Sequence, residues 1–264
     1  MRQALFTLRG SMLRSEIVNN HWILWAEDEE GIELALLADT GMPVTTMKNP
    51  LGGKIWFGEL AFDPGQNLVG QMLLQFFSGD MVEDIGFLIG MPIDGVLGAD
   101  FFQSCDVEVD FSQGSFSLSD GLLPLPEESV EVDLFELPTP SETVRSSHAP
   151  VVPMRLGNQE LRAFVDTGSM YTMVHTSLVA DDFQFVRTIR EFHPVIGWFE
   201  ARLYDAPELV LGGGNLGVQR VAASKAFDNA LRFESLGTNA ILGLQTCLNG
   251  RLFLSYRQKR MALR

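Results

Sequence analysis

The sequence has little cysteine and no long apolar run. It contains 2 Cys in 264 residues, too few for a disulfide scaffold, and neither lies in a cluster with metal-ligand spacing. No stretch approaches the roughly 20 apolar residues of a transmembrane helix, so we expect no membrane span. The segment Met1–Asn20 lacks the apolar core of a secretory signal peptide. We therefore expect a cytoplasmic protein.

Positive charge is scarce as well. The chain has 19 Lys and Arg against 34 Asp and Glu, which gives a formal net charge of −15. A protein that binds nucleic acid needs a basic face to neutralise phosphates. We therefore expect no nucleic-acid partner. The hydrophobic fraction of 46% is that of an ordinary globular chain.

Prolines are concentrated between residues 119 and 153, where they disfavour helices and interior strands. This predicts an N-terminal domain over 1–120, a linker over 121–150 and a C-terminal domain over 151–264. Within the linker, Val130–Leu137 alternates apolar and acidic residues and predicts one edge strand. On both sides, short β-prone runs between turn residues predict an all-β fold of barrels or sandwiches. These runs are residues 22–26, 32–38, 68–77, 107–111, 151–156, 161–165, 203–211 and 252–256.

Two motifs occur twice, in the same order. Leu36–Gly41 ends in Asp-Thr-Gly after an apolar run, and so does Ala163–Gly168. Further along, Gly95–Ala99 matches Ala240–Leu244, each with an apolar pair followed by Gly. One Asp-Thr-Gly is an ordinary strand exit. Two copies of Asp-Thr-Gly, each followed later by the same element of two apolar residues and Gly, are far rarer by chance. They indicate an internal repeat.

The repeated aspartates can act together. If an approximate twofold axis relates the two halves, Asp39 and Asp166 meet at that axis. Two carboxyls this close cannot both ionise, so one keeps a proton. The ionised one can activate a water while the protonated one donates to an amide carbonyl. Such a pair hydrolyses peptide bonds without a covalent intermediate.

The residues after each aspartate have supporting roles in this hypothesis. Thr40 and Thr167 would lie behind the carboxylates, where each hydroxyl can bond backbone of the other half. Gly41 and Gly168 would let backbone N–H groups approach the carboxylates, because glycine has no side chain.

On these motifs the chain resembles the aspartic proteases of the pepsin and retropepsin clan, as two retropepsin-like halves in one polypeptide. The resemblance implies a two-lobed fold with the cleft between the lobes, catalysis by Asp39 and Asp166, and support from Gly98 and Gly243. It implies an extended peptide or protein substrate, no metal ion and no cofactor. A monomer would suffice, and a domain-swapped dimer is the alternative. The matched motif positions lie within Ile32–Leu118 and Val151–Leu263.

The first loop departs from the pattern of that clan. Ser169 follows the second Asp-Thr-Gly, and its hydroxyl could bond Asp166, whereas Met42 follows the first and has no donor. Losing a donor to the charged form raises a carboxyl pKa, so we hypothesise that Asp39 holds the proton and Asp166 is the base. The same departure leaves a second hypothesis, a non-catalytic peptide-binding module with the same fold. A third is a structural protein with a chance motif pair.

The resemblance also implies a flap, a β-hairpin that closes over substrate. In the first half, residues 55–62 predict a strand, 63–67 a turn and 68–74 a second strand. In the second half, residues 195–199 lie on an apolar hairpin that ends near Tyr204. The aromatic residues among them are core side chains in the alternative interpretation. The candidate substrate-binding residues are Trp56, Phe57, Pro64, Gly65, Gly197 and Trp198.

Overall fold

The structure is a computed structural model, and it describes residues 14–49, 53–64, 81–137, 147–193, 196–212, 214–231, 237–248 and 250–264. Strands predominate in these segments and form curled sheets, so the predicted all-β class is confirmed. In chain order the strands are β1 (Ser15–Val18), β2 (His21–Glu27), β3 (Glu33–Ala38), β4 (Thr46–Met47), β5 (Ile55–Phe57), β6 (Leu60–Phe62), β7 (Gly95–Leu97), β8 (Asp106–Asp110), β9 (Ser115–Ser119), β10 (Val130–Glu131), β11 (Asp133–Leu137), β12 (Ser147–Leu156), β13 (Gln159–Asp166), β14 (Thr172–Val174), β15 (Gln184–His193), β16 (Gly197–Leu211), β17 (Gly214–Ala223), β18 (Ala240–Gly243), β19 (Arg251–Ser255) and β20 (Arg260–Leu263). The helices are α1 (Met81–Ile89), α2 (Ala99–Ser104) and α3 (Lys225–Leu231), with 3₁₀ turns at Thr176–Leu178 and Leu244–Cys247.

The first sheet is built from residues before the linker. Its strand order is β4-β7-β3-β2-β5-β6, and β1 pairs with β2. The central strand β3 is parallel to β7 and antiparallel to β2. Its residues 34–38 are all buried. A strand covered on both faces needs a continuous apolar run, which Leu-Ala-Leu-Leu-Ala provides.

The second sheet is built mainly from residues after the linker. Its order is β11-β12-β13-β18-β14-β17-β16-β15, and β12 also pairs with β16. As in the first sheet, the central strand before the Asp-Thr-Gly motif, β13, lies parallel to a later strand, β18. The glycine-rich stretch 211–217 predicts a hairpin turn, and this is confirmed, since β16 ends at Leu211 and β17 begins at Gly214.

The third sheet joins segments far apart in the chain. Its order is β10-β20-β19-β8-β9, so two strands from after the linker, β20 and β19, lie beside two from before it, β8 and β9. Val107 on β8 lies opposite Leu254 on β19 in an antiparallel register. The fully buried Asp106 carboxylate accepts a 2.6 Å hydrogen bond from the Ser255 hydroxyl, and Arg257 forms a salt bridge with the same carboxylate. A buried carboxylate requires such partners.

The predicted linker strand forms as two short strands. Val130–Glu131 is an edge strand of the third sheet, and Asp133–Leu137 is an edge strand of the second. The residue between them, Val132, is 1% exposed and belongs to the core. The linker thus hydrogen-bonds to two sheets, and residues 138–146 lie outside the described part of the chain.

The region predicted as the first flap differs from expectation. Residues 55–62 do not form one strand but a tight hairpin, because the chain turns at Gly58, whose φ of +63° suits a residue without Cβ. Phe57 is buried against Phe101, with ring centroids 4.9 Å apart. The alternative interpretation of a core aromatic therefore holds for Phe57. Trp56 points the other way and is partly exposed, and the predicted second strand, 68–74, lies outside the described residues.

Helix α1 was not predicted. Its Met81, Val82, Ile85 and Ile89 recur at helical spacing and are buried. Glu83 and Asp84 in its first turn are favourable near the positive end of the helix dipole. The helix ends at residue 90, a glycine whose φ of +82° is the usual left-handed cap.

Candidate active site

The two Asp-Thr-Gly loops are built by the same strand arrangement. Asp39 follows β3, which lies beside the parallel strand β7, and β4 after the loop is antiparallel to β7. Asp166 ends β13, which lies beside the parallel strand β18, and β14 after the loop is antiparallel to β18. The strand before each loop and the strand after it therefore both pair with the same third strand, which holds the loop in place. The motif repeat of the sequence is a repeat of structure.

The threonines join one loop to the other, as predicted. The Thr40 hydroxyl donates to the Val165 carbonyl at 2.8 Å, and the Thr167 hydroxyl donates to the Ala38 carbonyl at 2.7 Å. Each hydroxyl oxygen also accepts the backbone N–H of the other threonine at 3.1 Å. Both side chains are buried, so these bonds are shielded from water. The four bonds fix the two loops against each other in a nearly symmetric way.

The glycines after the threonines lie directly against the opposite aspartates. A Cβ added to Gly41 would lie 2.5 Å from Cγ of Asp166, and one added to Gly168 would lie 2.3 Å from Cγ of Asp39. These distances are well inside van der Waals contact. Only glycine therefore allows the aspartate of one half to approach the loop of the other. The structure brings Asp39 and Asp166 into hydrogen-bond contact.

Backbone N–H groups orient each carboxylate. Oδ1 of Asp39 accepts N–H bonds from Gly41 at 2.8 Å and Met42 at 3.1 Å. Oδ1 of Asp166 accepts the equivalent bonds from Gly168 at 3.0 Å and from residue 169 at 3.1 Å. Donors to a carboxylate stabilise its charged form. Each aspartate thus keeps one oxygen bound to its own loop and leaves the other free to face its partner.

Burial raises the pKa of both carboxyls, and their proximity makes the two pKa values differ. The pKa of Asp166 is raised well above its usual value, first by burial and then by the negative charge of Asp39. The pKa of Asp39 is raised less, because hydrogen bonds from Asp166, from its own loop and from the Gly168 N–H stabilise its charged form. The two carboxyls therefore share one proton, and the extra hydrogen bonds to Asp39 favour the charge there.

The sequence hypothesis rested on a side-chain donor to Asp166, and that donor is absent. We expected the Ser169 hydroxyl to stabilise a charged Asp166, but that hydroxyl donates to the Tyr171 carbonyl at 2.9 Å. A hydroxyl has one proton to donate, so it is not available to the carboxylate. The side chain after the motif therefore does not stabilise a charged Asp166 more than a charged Asp39. Ser169 acts through its backbone N–H, as Met42 does.

The two later glycines support the loops from behind. A Cβ on Gly98 would lie 2.5 Å from the backbone of Val44, and a Cβ on Gly243 would lie 2.3 Å from the backbone of Tyr171. The N–H of Gly98 donates to the Thr45 hydroxyl at 3.0 Å. Likewise, the N–H of residue 243 donates to the hydroxyl of Thr172 at 3.1 Å. Both glycines thus allow close contact between backbones just behind the aspartates.

Threonine and aspartate side chains around these glycines were not identified from sequence. The Asp100 carboxylate accepts bonds from the Thr45 N–H at 2.7 Å and from its hydroxyl at 2.8 Å, and burial raises the pKa of Asp100 to about 6. In the second half the Thr172 hydroxyl instead bonds the Thr246 hydroxyl at 2.7 Å. The position of Asp100, directly after the Gly95–Ala99 motif, is the signal that could have indicated this role.

An apolar cluster lies beside each aspartate. Side chains alternate along a strand, so Leu37 shares a face with Asp39, and Phe164 shares a face with Asp166. We call the clusters that contain them the Asp39-side and the Asp166-side cluster. The Asp39-side cluster comprises Ile23, Ala35, Leu37, Met42, Met81, Val82, Ile85, Ile89, Ile93 and Val96. The Asp166-side cluster comprises Ala149, Phe164, Tyr171, Met173, Phe199, Ala201, Leu203, Ala222, Phe227 and Ile241.

The hairpin predicted as the second flap is present between β15 and β16, and it touches both clusters. Ile189 packs against the Asp166-side cluster and Phe192 against the Asp39-side cluster. Trp198 lies 5.5 Å from Phe192 and 6.1 Å from Phe87 of α1, between ring centroids. Gly197 begins β16 with a φ of +74°. The hairpin thus connects the two sides of the aspartate pair.

The remaining candidates lie elsewhere. Pro64 is half-buried just after β6, and Gly65 lies outside the described residues. Within the described segments, no group of His, Cys, Asp and Glu side chains has a geometry that could hold a metal ion. In the same segments no helix has the length and apolarity needed to cross a bilayer. No protein-family model matches the chain, and no curated protein matches it either.

Proposed function

We propose that this chain is an aspartic endopeptidase of the pepsin and retropepsin clan, with two retropepsin-like lobes and a cleft between them. The observation that carries the proposal is the half-buried, hydrogen-bonded pair of Asp39 and Asp166, supplied by two copies of one strand arrangement. The bonds exchanged by Thr40 and Thr167 support it, since they hold the pair in one geometry. Preorganised groups of this kind are what acid–base catalysis requires.

In this mechanism the two aspartates differ in protonation. Asp39, which keeps the lower pKa, accepts a proton from a water held between the carboxyls. The water oxygen attacks the scissile carbonyl carbon, while Asp166 donates its proton to the carbonyl oxygen. The resulting tetrahedral intermediate collapses when Asp39 returns the proton to the leaving nitrogen and Asp166 regains one from the intermediate. Neither step calls for a metal ion or an organic cofactor.

The substrate in this proposal is an extended peptide or protein segment. The hairpin of β15 and β16 offers backbone groups for β-type pairing, and the two apolar clusters offer surfaces for side chains on either side of the scissile bond. One chain supplies both aspartates, so a monomer suffices. A domain-swapped dimer would place the same groups together from two chains.

The test is peptide-bond cleavage by the whole chain. An unfolded protein and a mixed peptide library are incubated with wild type, Asp39→Asn and Asp166→Asn over roughly pH 3 to 8, a range that spans carboxyl pairs of this kind. A statine-containing peptide, which mimics the tetrahedral intermediate, serves as inhibitor. We expect cleavage by wild type, and its loss in both variants and with the inhibitor.

Two other outcomes would change the conclusion. Cleavage that survives both substitutions would place the chemistry at another site. Folded wild type that binds the statine peptide but cleaves nothing would favour the alternative, a peptide-binding module with the same fold. Circular dichroism of all three proteins establishes that they are folded.

A further inference from the structure

Glu191 lies on the face of the hairpin that covers the Asp166-side cluster. On β15, Ile189 packs against that cluster and the His193 ring meets Phe227, a cluster member, edge-on at 5.9 Å. Side chains two residues apart on a strand share a face, so Glu191, between these two, faces the cluster as well. Its cross-strand partner is Phe199, which is also a member. A carboxyl group therefore lies within an otherwise apolar lining.

This lining adjoins the catalytic pair. Phe164 lies two residues before Asp166 on β13, and Ile241 lies opposite Phe164 on β18. The same register places Gly243 opposite Asp166. The Asp166 carboxyl and the two apolar side chains thus share one face of the sheet, and the hairpin with Glu191 covers the apolar part of it. Glu191 itself is half-buried at the edge of this cluster, so a substrate side chain that lies along the hairpin can reach it from solvent.

Glu191 has no partner of opposite charge among the described residues. Burial alone raises its pKa, to about 7, and no neighbouring charge or hydrogen bond offsets this. Arg190 is on the opposite face, over the Trp198 ring at 4.4 Å. Arg187 shares the face of Glu191 but is exposed, four residues and about 13 Å away along the strand. Burial lowers the pKa of His193 to about 4, so that ring is neutral at pH 7.

A half-buried carboxylate without a counter-ion is unfavourable unless a ligand supplies the opposite charge. The site also holds the shared negative charge of the aspartate pair, and the whole chain carries −15. A cation is therefore the ligand whose charge complements this site. Its aliphatic stem would pack on Phe199 and Phe164 while its charged end reaches the carboxylate, as long basic side chains do elsewhere.

We propose that Glu191 is a specificity-determining residue that binds the ammonium or guanidinium group of a substrate Lys or Arg adjacent to the scissile bond. The substrate class is then a peptide with a basic residue at that position. The inference rests on the proposed function, because it assigns Glu191 to substrate recognition. Binding of the basic side chain can nevertheless be measured without cleavage.

The test uses uncleavable statine peptides in which each of the two positions on either side of statine carries Lys, Arg, norleucine or Gln in turn. Norleucine keeps the lysine stem without the charge, and Gln keeps a polar end. Dissociation constants are measured at pH 8, where Glu191 is ionised, for wild type, Glu191→Gln, Glu191→Lys and Glu200→Gln. The Glu200 variant is the matched control, because that exposed side chain lies on the opposite face of the same hairpin.

At one position we expect wild type and Glu200→Gln to bind Lys and Arg at least tenfold more tightly than norleucine or Gln, the range typical of a buried charge pair. Glu191→Gln should lose the preference, and Glu191→Lys should disfavour basic peptides. Equal binding of Lys and norleucine by wild type at all positions, no peptide binding at all, or an unchanged preference in Glu191→Gln would overturn the inference. A Glu191-dependent preference without any cleavage in the library would uphold it and reject the peptidase proposal.

Discussion

Thr40 and Thr167 each depend on the other for their backbone hydrogen bond. The N–H of each threonine donates to the hydroxyl oxygen of the other at 3.1 Å, across 127 residues of sequence. Each hydroxyl then donates onward to a carbonyl next to the other aspartate. The position of one aspartate loop is therefore determined by the side chain of the other, and neither loop has this geometry alone.

We predict that Thr40→Val destabilises the protein by about 2 to 4 kcal/mol, because it leaves the Thr167 N–H and the Val165 carbonyl buried without this partner. Thr40→Ser keeps the hydroxyl and should cost no more than about 1 kcal/mol. Urea denaturation of both variants measures the difference. Equal stabilities for the valine and serine variants would contradict the role given to the hydroxyl.

For the aspartates we predict a loss of activity without a loss of fold. Asp39→Asn and Asp166→Asn should each lower kcat/KM at least about 1000-fold, since the pair works only with one acid and one base. Thermal stability should stay the same or rise, because each substitution removes the repulsion between two carboxyls at a half-buried site. Steady-state kinetics and calorimetry check the two parts separately. A variant with a tenth or more of wild-type activity would show that its aspartate is dispensable.

Gly41→Ala tests the close approach of the loops. The new methyl group would lie 2.5 Å from the Asp166 carboxyl carbon, so the carboxyl must move by about 1 Å. Displacement of that size at a catalytic group lowers rates about 100-fold. The control is Gly121→Ala, where the nearest atom would lie 3.5 Å away and the backbone is ordinary. Comparable activity in the two variants would mean that the aspartates have more room than the structure gives them.

Glu191 should make stability depend on pH. Its pKa is about 7 in the folded protein against 4.5 for an ordinary glutamate, so the folded state binds more protons between these pH values. The free energy of unfolding must then fall as the pH rises from about 4.5 to 7. Glu191→Gln should remove about 2 kcal/mol of this decrease, allowing for solvent at a half-buried group. Denaturation at pH 4, 5.5, 7 and 8 checks this, with Glu200→Gln expected to follow wild type throughout.

The repeated motifs predicted the aspartate loops well because their chemistry is local. Asp-Thr-Gly carries its own requirements for N–H donors and close approach, and the hydrogen bonds exchanged by Thr40 and Thr167 bring Asp39 and Asp166 together. The role of Ser169 was wrong for a reason that sequence does not contain. Its hydroxyl had two acceptors within reach, and the course of the chain to Tyr171 decided between them.

The hairpin was harder to predict than the loops. The run Gln184–His193 has apolar residues on both faces, because one face meets the Asp166-side cluster and the other meets α1, so it lacks the alternation of a half-buried strand. Glu191 was not identified from sequence, because nothing in this run marks its face as partly buried. In the first half, Gly58 turned an apparently continuous strand into a hairpin.

The pairing of β8 with β19 in the third sheet has a consequence for synthesis of the protein on the ribosome. The Asp110–Arg251 contact between β8 and β19 spans 141 residues, so β8 leaves the exit tunnel long before its partner is translated. Neighbouring strands β18 and β13 show the same delay on a smaller scale. A nascent chain therefore carries its first aspartate for most of translation without the second loop in place. Assembly of the pair is a late event, and fragments from interrupted translation would contain the motif without the site.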